Sequence, residues 1–302
     1  MLPVSVIICT HNPRADYLSD TLAGLAAQTL AHDAWELLLV DNASDEPMEG
    51  RFNLGWHADA RVVREETLGL TPARLRGVAE ARGELLLFVD DDNVLNPDYL
   101  EQALLIANER PWLGAWSGQC GGRFEQPPPE WTRRYWGNLV IREFDKDHWS
   151  NLPRLAATMP CGAGLCVRRE VGRHYLELHK TGSRSIQLDR TGDSLLSGGD
   201  NDLAACACDL GLGVGLIAAL KLQHLIAPGR FTPEYLSRLA YGIHYSSVLL
   251  DAERGIRRPA QGLLTDVANW LRRLRLRGPH RGIAKAAQDG EKAALRALSA
   301  PH

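Results

Sequence analysis

Four apolar runs within the first ninety residues limit what this chain can fold into: "VSVIIC" (4–9), "ELLLV" (36–40), "ARVVRE" (60–65) and "ELLLFV" (84–89). Those rich in Val, Ile and Leu do not alternate with polar residues, which suits parallel strands buried on both faces. Helical patterns fall between most of them. One runs from about Arg14 to Gln28, a second from Thr71, with Pro72 in its first turn, to near Gly83, and a third follows Pro97. The link between the second and third runs is less regular. This β-α alternation predicts an α/β fold: a doubly wound, mostly parallel central sheet flanked by helices, with right-handed crossovers.

Ligands of such sheets bind beyond the carboxyl ends of the strands. Those ends read "THN", "DNASDE" and "DDDN" here, so polar and acidic groups gather at one rim. In "FVDDDN" (88–93) three carboxylates stand side by side, a repulsion for which folding has no need. Carboxylates at a strand end can hold Mg²⁺ or Mn²⁺, hard cations that prefer oxygen and leave open positions for substrate phosphates. The alternative is a solvated turn in which Asp92 or Asn93 caps a following helix. Asp41 also ends a strand, where an Asp alone can be a turn former.

Further along, residues 118–159 are rich in Trp, Pro, Arg and Gly without a clear period, which predicts long loops and short helices over the sheet. "PCGAGLCVRREV" (160–171) reads as a return strand entering a helix, "GGDNDLAACACDLG" (198–211) as a helix opened by acids, and "VGLIAALKLQH" (214–224) as a strand. "GLGVG" (211–215) lacks the GxGxxG spacing and follows a helix, so Gly211 reads as a helix C-cap and not as part of a phosphate loop. Asp200 is either a base at the mouth of the site or a first-turn acid favoured by the helix dipole. His224 is either a ligand or a satisfied structural histidine, and Arg230 is a further candidate for neutralising a diphosphate.

Taken together, "VSVIICTHN" (4–12), "LLLVDNASD" (37–45), "LTPARLRGVAEARGELLLFVDDDN" (70–93) and "SGGDNDLA" (197–204) resemble family 2 of the nucleotide-sugar glycosyltransferases, which have the GT-A fold. The likeness runs in order from about Val4 to Tyr235. It implies an inverting, metal-dependent transfer of sugar from a nucleoside-diphosphate sugar, UDP-sugar first among them, to a saccharide, lipid-linked or other hydroxyl acceptor. Thr10, His11 and Asn12 would line the nucleotide pocket, Asp41 would accept the N–H of the base, and Arg74 would lie near the diphosphate. Asp91 would hold the ribose and Asp92 the Mn²⁺ or Mg²⁺, with Asp90 completing the motif. His224 would contact metal or diphosphate, and Asp200 would be the general base, with Asp202 the alternative. The pattern departs at Gly199, where the family commonly has Glu. A non-catalytic nucleotide-sugar or saccharide-binding module is the rival from another class. A sugar-nucleotide nucleotidyltransferase would need glycines after the first strand, and "CTHNPRADYL" has none.

Charge is uneven along the 302 residues: the net is −3, yet residues 252–302 carry eleven Lys/Arg against four Asp/Glu. The whole chain thus has no nucleic-acid footprint, but an acidic body bears a basic tail. In "LLTDVANWLRRLRLR" (263–277), Leu263, Val267, Trp270, Leu271 and Leu274 fall on one helical face, with Arg272, Arg273, Arg275 and Arg277 at its end. That pattern suits the surface of an anionic membrane, or else docking on the catalytic domain or in a homodimer. The expected organisation is a catalytic domain over 1–235, divided into a donor half (1–117) and an acceptor and base-bearing half (118–235), followed by a basic helical extension (236–302). Trp131, Trp136 and Trp149 are candidates for stacking on an acceptor sugar. No signal sequence or run of roughly 20 apolar residues is visible, and the six cysteines have no metal-site spacing and read as reduced thiols. The expected location is cytoplasmic, with peripheral contact at the inner face of the membrane.

Overall fold

A computed structural model describes residues 2–184, 188–189, 195–258 and 263–299; in the helix 263–274 the side chains of 263–266, 268 and 269 are outside the description. Its centre is a nine-stranded mixed sheet. Strands β1 (Val4–Thr10), β2 (Trp35–Asn42), β3 (Ala60–Glu65) and β4 (Leu85–Asp90) are parallel, in the spatial order β3-β2-β1-β4. Helices α1 (Ala15–Ala26) and α2 (Leu70–Glu80) connect them, whereas residues 43–59 form an irregular crossover.

Successive residues of the inner strands enter opposite cores. Val6, Ile8, Leu37, Leu39, Leu85 and Leu87 join one apolar cluster with Leu18, Leu22 and Leu25 of α1. Ile7, Leu38, Val40, Leu86 and Phe88 join the other, with Ala73 and Val78 of α2. Burial on both faces explains the unbroken apolar runs. Beyond β4 the sheet becomes mixed: β8 (Leu165–Arg168) is antiparallel to β4 and to β6 (Leu113–Phe124), and β6 is parallel to β9 (Gly213–Ile226). Two short strands, β5 (Asn93–Leu95) and β7 (His148–Ser150), pair antiparallel with β9. Helices α3 (Tyr99–Glu109), α4 (Arg169–Lys180) and α5 (Gly199–Asp209) complete the layers.

One expectation is corrected here. Residues 118–124 are not loop but the second half of β6. Their glycines hide a strand signal because the neighbouring backbone comes too close for side chains: a Cβ at Gly118 would lie 2.1 Å from the carbonyl oxygen of Leu220 in β9. After β9, α6 (Pro233–Glu253) crosses the division drawn at 235 and packs against α8 (Pro279–Ser299), where Gly290 lets the helices approach. Helix α7 (Leu263–Leu274) lies between them in sequence. All six cysteines are free thiols, four of them buried.

Candidate active site

The register of the parallel strands builds the rim. Thr10 lies opposite Asp41 on one side of β1, and Cys9 opposite Asp90 on the other, so the polar strand ends reach one level. Above this rim is a cleft of about 330 Å³. It brings together Thr10, His11, Arg74, Asp90, Asp91, Asp92, Asp200, His224 and Arg230, residues drawn from both halves of the chain.

Asp91 and Asp92 form the turn between β4 and β5, so Asp92 and Asn93 cap no helix. Asn93 pairs with His224 in the β5–β9 ladder, and Leu225 N donates to the Asp92 carbonyl at 2.8 Å. This backbone pairing sets the Asp92 carboxylate 3.2 Å from His224 Nε2. The other ring nitrogen, Nδ1, donates to the Leu139 carbonyl at 3.0 Å, which leaves Nε2 as the atom facing the carboxylate. Burial disfavours the imidazolium, but Asp92 more than offsets it and raises the His224 pKa. Asp91 accepts from the Thr10 hydroxyl; burial, and then the charges of Asp92 and Asp90, push its pKa up.

Such crowding marks a place short of positive charge. The donors are hard carboxylate oxygens and one imidazole with a fixed tautomer, a set that fits a divalent cation. Among the described residues, no group of three or more His, Cys, Asp or Glu is arranged to hold a metal. A cation seated at Asp92 and His224 would therefore keep positions open for substrate oxygens.

Across the cleft, Asp200 is the second residue of α5 and its Oδ2 accepts from Gly162 N at 2.7 Å. Gly162 is steadied by its neighbour Cys161, whose amide donates to Ser117 Oγ at 3.3 Å. Arg74 is only 4% exposed, and Asp189, Asp200 and Asp90 overcome its burial to raise its pKa. Asp202 turns away from the cleft: it is buried beneath Arg184 and Arg254 and ties α5 to the end of α6.

Two residues that the likeness put at the nucleotide do not line the cleft. The Asp41 carboxylate is occupied by Ser44 N and Met48 N, each at 3.1 Å, and by Arg64 at 2.7 Å, so it organises the loop after β2. Asn12, at a left-handed φ of 48°, clips the same loop through Asp45 and Ser44. Several lining residues carry no signal in the sequence, Asp189, Gly162 and Ser197 among them. Asp189 lies in an aperiodic stretch, and Gly162 and Ser197 act through their place in the cleft wall. Trp149 is 55% exposed but pairs with Gly215, whose β6 partner Trp116 is six residues from the partner of His224, on the order of 20 Å along the sheet. Trp131 and Trp136 pack in an apolar cluster beside α6.

A parallel-to-mixed α/β sheet with an acidic strand-end cleft defines a class, and comparison with known proteins gives the family. The sequence model of Glycosyl transferase family 2 matches residues 5–165, and the chain belongs to that family. Among curated relatives, the putative glycosyltransferase EpsH of Bacillus subtilis (strain 168) is 30% identical over 116 residues, covering 35% of this chain and 30% of that protein. The chain thus spans less than a third of that relative's length. Among solved structures, S. aureus TarS 1–349 in complex with UDP-GlcNAc superposes with a TM-score of 0.56 at 14% identity, covering 98% of this chain and 92% of that one. GalNAc-T7 with UDP, GalNAc and Mn²⁺ gives 0.54 at 17% identity, over 84% of this chain and 50% of that one. At these identities the likeness is one of fold, and the fold is GT-A.

Proposed function

We propose that the chain is an inverting glycosyltransferase that moves a sugar from a UDP-sugar to a hydroxyl acceptor. The observation that carries the reading is one cleft holding an Asp92–His224 pair, a buried Arg74 and the Asp200 carboxylate. Asp92 and His224 would hold Mn²⁺ or Mg²⁺, which would neutralise charge on the departing diphosphate. Arg74 and Arg230 add fixed positive charge beside the same groups. Asp200 takes the proton of the acceptor hydroxyl as the new bond forms. Thr10, His11 and Asp91 form the wall for the nucleoside, while Asp41 and Asn12 shape that wall through the loop after β2. Residues 1–117 would serve the donor and 118–235 the acceptor. The basic extension would bring the enzyme to an anionic membrane at the cytoplasmic face, where a lipid-linked acceptor would lie.

Calorimetry with UDP and Mn²⁺ tests the donor half of this reading. The parent should bind, and Asp92→Ala should bind at least about tenfold more weakly, since it removes a direct ligand. Equal affinities would remove Asp92 from the site. Incubation with a panel of UDP-sugars then separates catalysis from mere binding: a parent that binds donor but neither transfers nor hydrolyses it is the saccharide- or nucleotide-binding module instead.

A further inference from the structure

Asp189 is an acid of the cleft that no motif marks. It is 3% exposed and its carboxylate is fully engaged. One oxygen accepts from Thr71 Oγ1 at 2.8 Å and Arg74 Nη1 at 2.7 Å; the other accepts from Gly199 N at 3.0 Å. Thr71 belongs to the first turn of α2 and Gly199 opens α5. A single carboxylate therefore sits at two helix N-termini, where the dipoles favour negative charge, and joins the donor half of the chain to the helix bearing Asp200.

Space adds a second observation. A Cβ built on Gly199 would lie 2.0 Å from an Asp189 oxygen and 2.5 Å from its carboxyl carbon. Gly199 has no left-handed φ, so backbone conformation does not require glycine there; the position of the Asp189 carboxylate does. A carboxylate from position 189, ten residues earlier, thus fills the space that a side chain at position 199 would occupy.

The charge has a use. Next to Asp189, the anions acting on buried Arg74 are Asp200 and Asp90. Arg74 Nη2 and Asp200 Oδ2 lie 3.0 Å and 3.4 Å from one point, the Cβ position of Gly162, so both border the same small space. Without Asp189, a buried guanidinium would take Asp200 as its partner. We infer that Asp189 is a positioning residue: it holds Arg74 toward the donor and keeps Asp200 free for the acceptor. This rests on the roles proposed above for Arg74 and Asp200.

Moving the carboxylate from one side of the contact to the other provides the test, using the full chain as Asp189→Ala, Gly199→Glu and the double variant. Two readouts are needed, the melting midpoint without ligand and UDP affinity with Mn²⁺. Gly199→Glu alone should melt early, because its side chain meets Asp189. Asp189→Ala alone should bind UDP roughly tenfold or more weakly, because a buried ion pair at Arg74 is broken. The double variant should melt above Gly199→Glu and regain most of the affinity, whereas Asp189→Ala/Gly199→Gln, the same shape without charge, should not regain it. Parental affinity in Asp189→Ala, or equal rescue by Gln and Glu, would overturn the inference. A parent that binds no UDP would sink the donor reading; the midpoints, read without ligand, then decide alone, and a double variant no more stable than Gly199→Glu overturns the shared space as well.

Discussion

Two acids show how the same residue type is put to opposite uses. Among the described residues, Asp200 accepts the backbone amides of Gly162 and Asn201 at the cleft edge. Asp200→Asn, nearly isosteric, should fold and bind UDP like the parent but lose roughly 10²–10⁴-fold in transfer rate, the share of a positioned base. Near-parental turnover would place the base elsewhere, and Asp202 is a poor substitute because Arg184 and Arg254 enclose it. Glu36, at the opposite end of β2, has a structural task. Burial alone would raise its pKa, but hydrogen bonds from Ser5, Arg82 and Arg61 lower it overall. The folded state therefore binds the proton less readily than the unfolded chain, so stability from Glu36 is present above the ordinary value of 4.5 and is lost as pH falls through the folded value. Glu36→Gln should lower the urea stability by about 3 kcal/mol at pH 7, and the gap from the parent should narrow in acid. A gap independent of pH would show that Glu36 acts through shape alone. The triple Asp and Asp200 were legible because they end a strand or open a helix with a recognisable pattern, and His224 because it lies near the end of the apolar run that becomes β9. Asp189 was not, since its partners Thr71, Arg74 and Gly199 are assembled only by the fold.

At the scale of elements, the apolar runs identified β1, β2 and β4 because two-sided burial confines their polar residues to the strand ends. Strand β5 escaped notice: three residues long, it is defined by pairing with β9 and not by its own pattern. Helix α7 forms where the sequence period predicts it, and its described apolar residues Val267, Trp270, Leu271 and Leu274 are each about half exposed. Arg272, Arg275 and Arg277 at its end are exposed too. An apolar face with a Trp and a cationic flank complements an anionic bilayer, and near such lipid each basic residue contributes about 1 kcal/mol. The full chain should float with vesicles containing anionic lipid at low salt, and Trp270→Ser/Leu274→Ser should stay in the dense fraction. A parent that stays there as well, but sediments as a dimer, would assign this face to a second copy. Among the described residues no helix is long and apolar enough to cross a membrane.

For the molecule as a whole, the family model covers residues 5–165, while the mixed half of the sheet depended on close backbone approaches such as Gly118 to Leu220 that no periodicity announces. The pairing of Asn93 with His224 has a consequence for how this protein loosens. Asp92 and His224 are 132 positions apart in sequence, yet a backbone ladder of three residue pairs fastens them. The seat proposed for the ion is thus woven into the sheet margin, and the two can fray only together. Local opening that exposes the amides of β5 would also dismantle the seat, so ligand binding and the closed margin share one equilibrium. Hydrogen exchange should then show the amides around 93–95 and 222–225 slowing in step on addition of Mn²⁺ and UDP, with the amides of β3 unchanged. Uniform slowing across both regions would mean that the margin is no weaker than the rest of the sheet.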